Sequence, residues 1–149
     1  MKIPTVNRIA SISMSVFMAV TVSTAVAQTA DNSPQQQIRT LLSITFDQPN
    51  HKVEASPIAV ANDYAIADWI QGEKGGRALL RRTNGKWEIM ACGGDALKDI
   101  KALNDAGIST ATAKNIVAQL TKAEQSISAD RVKRFGLFGM TDFQAHSKP

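Results

Sequence analysis

Cysteine is nearly absent from this chain: Cys92 is the only one among 149 residues, so no intramolecular disulfide can form even in an oxidising compartment. A lone thiol is then a buried and inert side chain, a link between chains or a metal ligand, and burial is the ordinary state of a free cysteine. Histidine is scarce as well, with His51 just after a proline-containing turn and His146 close to the C-terminus. Acid–base and nucleophilic catalysis need a nucleophile, a base and an orienting group in reach of one another, and histidine most often supplies the base. Two histidines that read as solvated loop residues supply no such constellation, so no catalytic residue is assigned and the chain reads as non-enzymatic. CxxC pairs, histidine-rich tracts and methionine-rich motifs are missing, and with them the familiar metal-ligand spacings. No internal repeat or heptad is present. After Gln28 no apolar run is long enough to span a bilayer.

The N-terminal stretch is built differently. Lys2 and Arg8 give it a positive start, positions 9–26 carry no charge, and Ala25, Val26 and Ala27 form the small-x-small pattern of a cleavage site. These are the parts of an export signal. Serines and threonines interrupt the apolar run, which favours removal over anchoring, and no cysteine follows the cleavage point to accept lipid. The expectation is a cleavable signal at 1–27 and a periplasmic or secreted domain at 28–149, with no stable membrane insertion after cleavage. Loss of Lys2 and Arg8 would reduce the 17 basic side chains to 15 against 13 acidic ones, a net charge of +2 in place of +4. About 120 residues remain, a usual length for one domain with its own core.

Ser33 followed by Pro34, with Gln36 at capping-box spacing, predicts a helix start, and Ile38, Leu41, Leu42, Thr45 and Phe46 recur on one helical face before Pro49. From Lys52 the period becomes that of strands. A short edge strand is expected over 56–61, where Pro57 is tolerable at a start or edge, and a second over 64–70 after a turn at Asn62 and Asp63. Alternation puts Tyr64, Ile66, Asp68 and Ile70 on one face and Ala65, Ala67 and Trp69 on the other. Gly72, Gly75 and Gly76 read as a flexible connection to a strand over 77–83. Asn84-Gly85 is a strong hairpin signal, and the returning strand, 86–92, would place Trp87, Ile89 and Ala91 opposite Glu88, Met90 and Cys92.

Beyond Gly93 and Gly94 the helical period returns, with Asp95 as cap, Leu97, Ile100 and Leu103 on one face and Gly107 as terminator. Ser109 caps a further helix with the stripe Ala113, Ile116, Val117, Leu120 and Ala123, and a third element gathers Val132, Phe135, Leu137 and Phe138 after Ser128. The reading is an α+β fold, an antiparallel meander of three to four strands with an N-terminal helix and two to three C-terminal helices, the helices packed on one face of the sheet. The alternative is a cone similar to nuclear transport factor 2 or cystatin, in which a curved sheet wraps the first helix.

Few side chains invite chemistry. Asp68 reads as a partly exposed strand aspartate. The glycines match neither a Walker loop nor a dinucleotide fingerprint and are better explained as bends. Arg77, Arg81, Arg82 and Lys86 cluster at the hairpin, where export argues against a nucleic-acid partner and leaves anionic lipid, an acidic protein or plain solvation. Met90 and Cys92, two apart on one strand, are the candidate metal ligands, since a thioether and a thiol on the same side suit Cu(I); the alternative is that both fill the core. Met140 and His146 could add ligands from the tail.

The run DYAIADWIQGEKGGRALLRRTNGKWEIMACGGDALKD at 63–99 resembles the small exported bacterial proteins called copper uptake system-associated proteins. AGIST at 106–110 and RVKRFGLF at 131–138 continue the resemblance in the same order. It combines an ADW strand, a GGRALLRR strand, a GKW turn and a GGDALKD helix start, none of which is a mechanistic motif. The resemblance implies a non-enzymatic periplasmic accessory protein of copper uptake or handling that binds copper or a partner from a copper-uptake system, and it carries over no ligand set. The tail at 141–149 extends beyond the pattern. The alternative function is a binding module of the cone-shaped kind, with an apolar pocket near Tyr64, Trp69 and Trp87 for a small molecule or peptide.

Overall fold

The computed structural model describes residues 32–139 and the short strand Thr141–Asp142. The expected signal at 1–27, Met140 and His146 lie outside the described residues. Helix α1 spans Pro34–Phe46 and starts as its sequence dictates, with the Ser33 hydroxyl accepting from the Gln36 amide at 3.3 Å and proline in the first turn. Strands β1 (Glu54–Ala61), β2 (Tyr64–Gln71), β3 (Lys74–Thr83) and β4 (Lys86–Gly93) form an antiparallel meander. Asn84 at φ 51° and Gly85 at φ 79° make the β3–β4 turn, both in the left-handed region that a tight primed turn demands. Pro57 sits in β1 at the sheet edge, inside a register shift between Ala55 and Ile58, so its missing N–H interrupts no regular ladder.

A 3₁₀ turn at Asp95–Lys98 and helices α2 (Ile100–Asp105), α3 (Thr110–Glu124) and α4 (Ala129–Gly136) follow, and Thr141–Asp142, strand β5, adds to the edge of β4. The α+β reading with an N-terminal helix, a four-strand meander and C-terminal helices therefore holds. Its layering does not. Helices cover both faces of the sheet, because β2 and β3 are buried along nearly their whole length and each face needs apolar cover. On one face Ile38 and Leu42 of α1 pack over Ala55, Ala65, Ala67, Ala78 and Leu80. On the other, Leu103, Ile108, Ala113, Ile116 and Leu120 pack over Ala59, Ile66 and Leu79. No helix among the described residues is long and apolar enough to cross a membrane.

Three local expectations are corrected. Gly75 and Gly76 are not a connection but part of β3, paired with Ile70 and Trp69, and the β2–β3 turn consists of Gly72 and Glu73 alone. Asp95 caps no helix; it opens the 3₁₀ turn, and Asp99 caps α2 through a 2.7 Å bond from the Ala102 amide. The buried stripe of α3 ends on Glu124, one turn beyond Leu120, while Ala123 is exposed.

Candidate functional site

The α1 face of the sheet holds an apolar cavity of about 210 Å³, lined by Phe46, Val53, Trp69, Gln71, Lys74, Cys92 and Phe138. Its floor follows from strand register. Trp69 and Gln71 share a face by the two-residue period of β2, Lys74 stands opposite Gln71, and Cys92 stands opposite Ala78 on the same face. Its walls come from chain ends. Asp47 accepts from the Ser43 hydroxyl and from the Val53 amide, both at 2.7 Å, which ties the loop 47–53 back onto α1. That backbone hydrogen bond from Val53, followed by the one from Ser43, holds the Asp47 pKa below its ordinary value. Gln71 Nε2 donates to the Phe46 and His51 carbonyls at 2.7 and 3.0 Å, fastening the same loop to β2. His51 is exposed in that loop, as expected.

Phe138 closes the cavity from the C-terminal side, its ring edge-on to Trp69 with centroids 5.1 Å apart at 72°. Gly76 makes the approach possible: a Cβ there would lie 2.8 Å from both the Phe138 Cβ and the Trp69 ring. Of the aromatics expected around a pocket, only Trp69 lines this one. Tyr64 packs into the core on the opposite face, and Trp87 lies under Arg82, whose guanidinium carbon is 5.5 Å from the ring centroid.

Met90 and Cys92 do not share a face. Cross-strand pairing steps from Leu79↔Ala91 to Leu80↔Ile89, leaving Met90 as the extra residue of a β-bulge. A bulge reverses the alternation beyond it. Trp87, Ile89 and Cys92 therefore all join the α1-side cluster, whereas Met90 packs on the α2–α3 side. The shared two-sulfur site that strict alternation suggests is not formed. Cys92 alone reaches the cavity, 3% exposed, and burial pushes its thiol pKa up to about 12. Among the described residues no three His, Cys, Asp or Glu side chains converge as a metal site would require.

Arg77 is not part of the hairpin patch. It is 1% exposed, and its guanidinium reaches Asp95 Oδ1 and Glu124 Oε1 at 2.8 Å each, with Nε 3.1 Å from Asp68 Oδ1. Lys98 donates to the other Glu124 oxygen. Asp68 is fully buried rather than partly exposed. The Nε contact lacks hydrogen-bond alignment, leaving Arg77 Nε and the ionised form of Asp68 without a hydrogen-bond partner, whereas the protonated acid can hydrogen-bond Glu124. Burial is the largest influence on Asp68 and, with Glu124 nearby, raises its pKa to about 8 against the pull of Arg77. Burial also works to raise Glu124, but the hydrogen bonds from Arg77 and Lys98 outweigh it and hold that carboxyl below its ordinary value. With Asp68 neutral, two cations, Arg77 and Lys98, face two anions, Asp95 and Glu124. The cluster joins β2 and β3 to the 3₁₀ turn and to the end of α3, and Asp68 is no part of the cavity lining. It is a structural clasp on the face opposite the cavity.

Family models, curated proteins and solved structures were all compared with the chain, and none matches.

Proposed function

We propose that this protein is an exported, non-enzymatic accessory protein of copper uptake or handling that works by binding, at the cavity beside Trp69, and not by chelating copper between Met90 and Cys92. One observation carries this reading: the segments that bear the resemblance supply most of the described wall of the cavity. Trp69, Gln71, Lys74 and Cys92 all fall in the 63–99 string and Phe138 ends the RVKRFGLF string, so five of the seven described lining residues belong to it. The sulfur geometry supports the same reading. Capture of Cu(I) by Cys92 requires the thiolate, and raising that pKa from 9.0 to about 12 adds roughly 4 kcal/mol to its formation near neutral pH. Met90, on the other face, cannot help.

The test is an anaerobic Cu(I) competition titration on the protein beginning at Gln28, against a chromogenic chelator, with Cys92→Ala and Met90→Leu beside it. Weak competition that is indifferent to Met90→Leu is expected. Tight stoichiometric binding abolished by either substitution would replace this reading with a sulfur-ligated carrier. The link to copper itself is tested in cells: loss of the protein should lower copper accumulation under copper limitation, and N-terminal sequencing of the exported form should begin at Gln28.

A further inference from the structure

We propose that the cavity beside Trp69 binds a small apolar monoanion, a single-ring aromatic or short-chain carboxylate, with its body against Phe46, Val53, Trp69 and Phe138 and its carboxylate at Lys74. This rests on the cavity being the working site and goes further in naming what enters it. Size sets the first limit. An apolar cavity of roughly 150 Å³ accepts benzene, while drug-sized ligands occupy roughly 300–1,000 Å³. At about 210 Å³ the space matches one ring with a short substituent.

Chemistry sets the second. Phe46, Val53, Trp69, Cys92 and Phe138 present carbon and a thiol that burial keeps protonated, so most of the wall rewards loss of water from an apolar surface. Gln71 spends both amide hydrogens on the Phe46 and His51 carbonyls and has none left to donate to a ligand. Among the described residues, Lys74 is the only charged one in the lining. It is exposed, and its ammonium makes no ion pair among the described residues. Among the described residues no acidic side chain lines the cavity to neutralise it or to receive a cationic ligand. One cation at the edge of an apolar space therefore selects one negative charge on an apolar body, because the anion keeps its charge near water while the body is buried. A phosphate or sulfate would leave most of its acceptors unmet here and would not use the walls.

The experiment titrates the protein with phenylacetate, phenylethanol and phenethylamine in copper-free buffer, following tryptophan emission, with calorimetry as a second readout. Phenylacetate should quench Trp69 and bind more tightly than the alcohol, and the amine should bind most weakly. In Lys74→Gln the carboxylate should weaken about fivefold, the scale of an exposed charge pair, while the alcohol is unchanged. Lys74 is exposed, so the substitution leaves the fold intact, which circular dichroism checks. The proposal is overturned if none of the three binds by about 10 mM, a generous limit for a ligand of this size, or if carboxylate and alcohol bind alike in both proteins. Because no copper is present, either failure leaves the Cu(I) titration result standing, and the two readings fall separately.

Discussion

Replacing Asp68 with asparagine should remove most of the pH dependence of stability between about pH 5 and 8, the window set by a folded-state pKa of about 8. The carboxyl is fully buried, and as a carboxylate it has no hydrogen-bond donor, while its protonated form can hydrogen-bond Glu124. A group whose folded pKa is raised binds its proton more tightly in the native state. Stability is therefore greatest below the unfolded value of 3.8 and is lost as pH rises toward about 8. For one proton the slope is about −1.4 kcal/mol per pH unit, so the parent should lose roughly 2 kcal/mol between pH 5.5 and 7 through this group. The asparagine amide mimics the protonated acid in shape and cannot ionise. Glu124, with a lowered pKa, acts in the opposite sense: its contribution is present above its unfolded value of 4.5 and is lost below it, outside this window. Arg77, Asp95 and Lys98 face the same cluster in both proteins. The assay is urea unfolding of parent and Asp68→Asn at half-unit steps of pH, with the difference between the two curves as the readout. It should grow in favour of the variant by about 2 kcal/mol from pH 5.5 to 7. Parallel curves, with the variant lower by a constant ~3–5 kcal/mol, the typical cost of breaking a buried ion pair, would mean that Asp68 is ionised throughout and would refute the reasoning.

Cys92 in the native protein should resist iodoacetamide at pH 8, because a rise from 9.0 to about 12 lowers the thiolate fraction about a thousandfold and the side chain is buried; alkylation at the rate of the unfolded chain would contradict the placement. Leu42→Ala, which empties a buried position between α1 and the sheet, should cost about 2–5 kcal/mol in chemical unfolding, and a loss below about 1 would mean that α1 is not a full layer of the core. Gly76→Ala forces a methyl group to 2.8 Å from Trp69 and Phe138 and should cost about 1–3 kcal/mol while shifting tryptophan emission; an unchanged spectrum would dissociate Phe138 from Trp69.

The cavity is partly legible in the sequence. Trp69 stands out as a wall residue because alternation places it unambiguously on the face away from Asp68. Aromatic character alone draws Tyr64 and Trp87 toward the same pocket, although alternation along β2 already sets Tyr64 on the opposite face from Trp69. Phe46, Val53 and Phe138 carry no signal as a group, since they are brought together from the end of a helix, a loop and a segment some 85 residues further on. Lys74 is hidden in a stretch that reads as a glycine connection. For the clasp the signal is thin: a glutamate falls one turn after Leu120 in an apolar helical stripe, while Arg77 reads as the start of its strand and as one of a basic cluster until β3 is seen to begin at Lys74. Each is costly to bury alone, and their contact appears only in the tertiary structure.

Local chemistry is sufficient for several of the element boundaries. Ser33-Pro34 starts α1, Asn84-Gly85 turns β3 into β4, and Ser109 caps α3, because capping and turn geometry depend on residues within a few positions of one another. Patterning along the chain was thus enough for the α+β class and for the order of helix, meander and helices, but not for where β3 begins or for the 3₁₀ turn at Asp95–Lys98. Tertiary structure alone decided which sulfur meets which face, since the bulge at Met90 is a property of the pairing of β4 with β3 and cannot be read from β4 in isolation. It alone made Arg77 a buried clasp, because that depends on Glu124 and Asp95 arriving from elements 47 and 18 residues away. And it alone opened the cavity, a volume that exists only where three distant pieces of chain stop short of filling the space above the sheet.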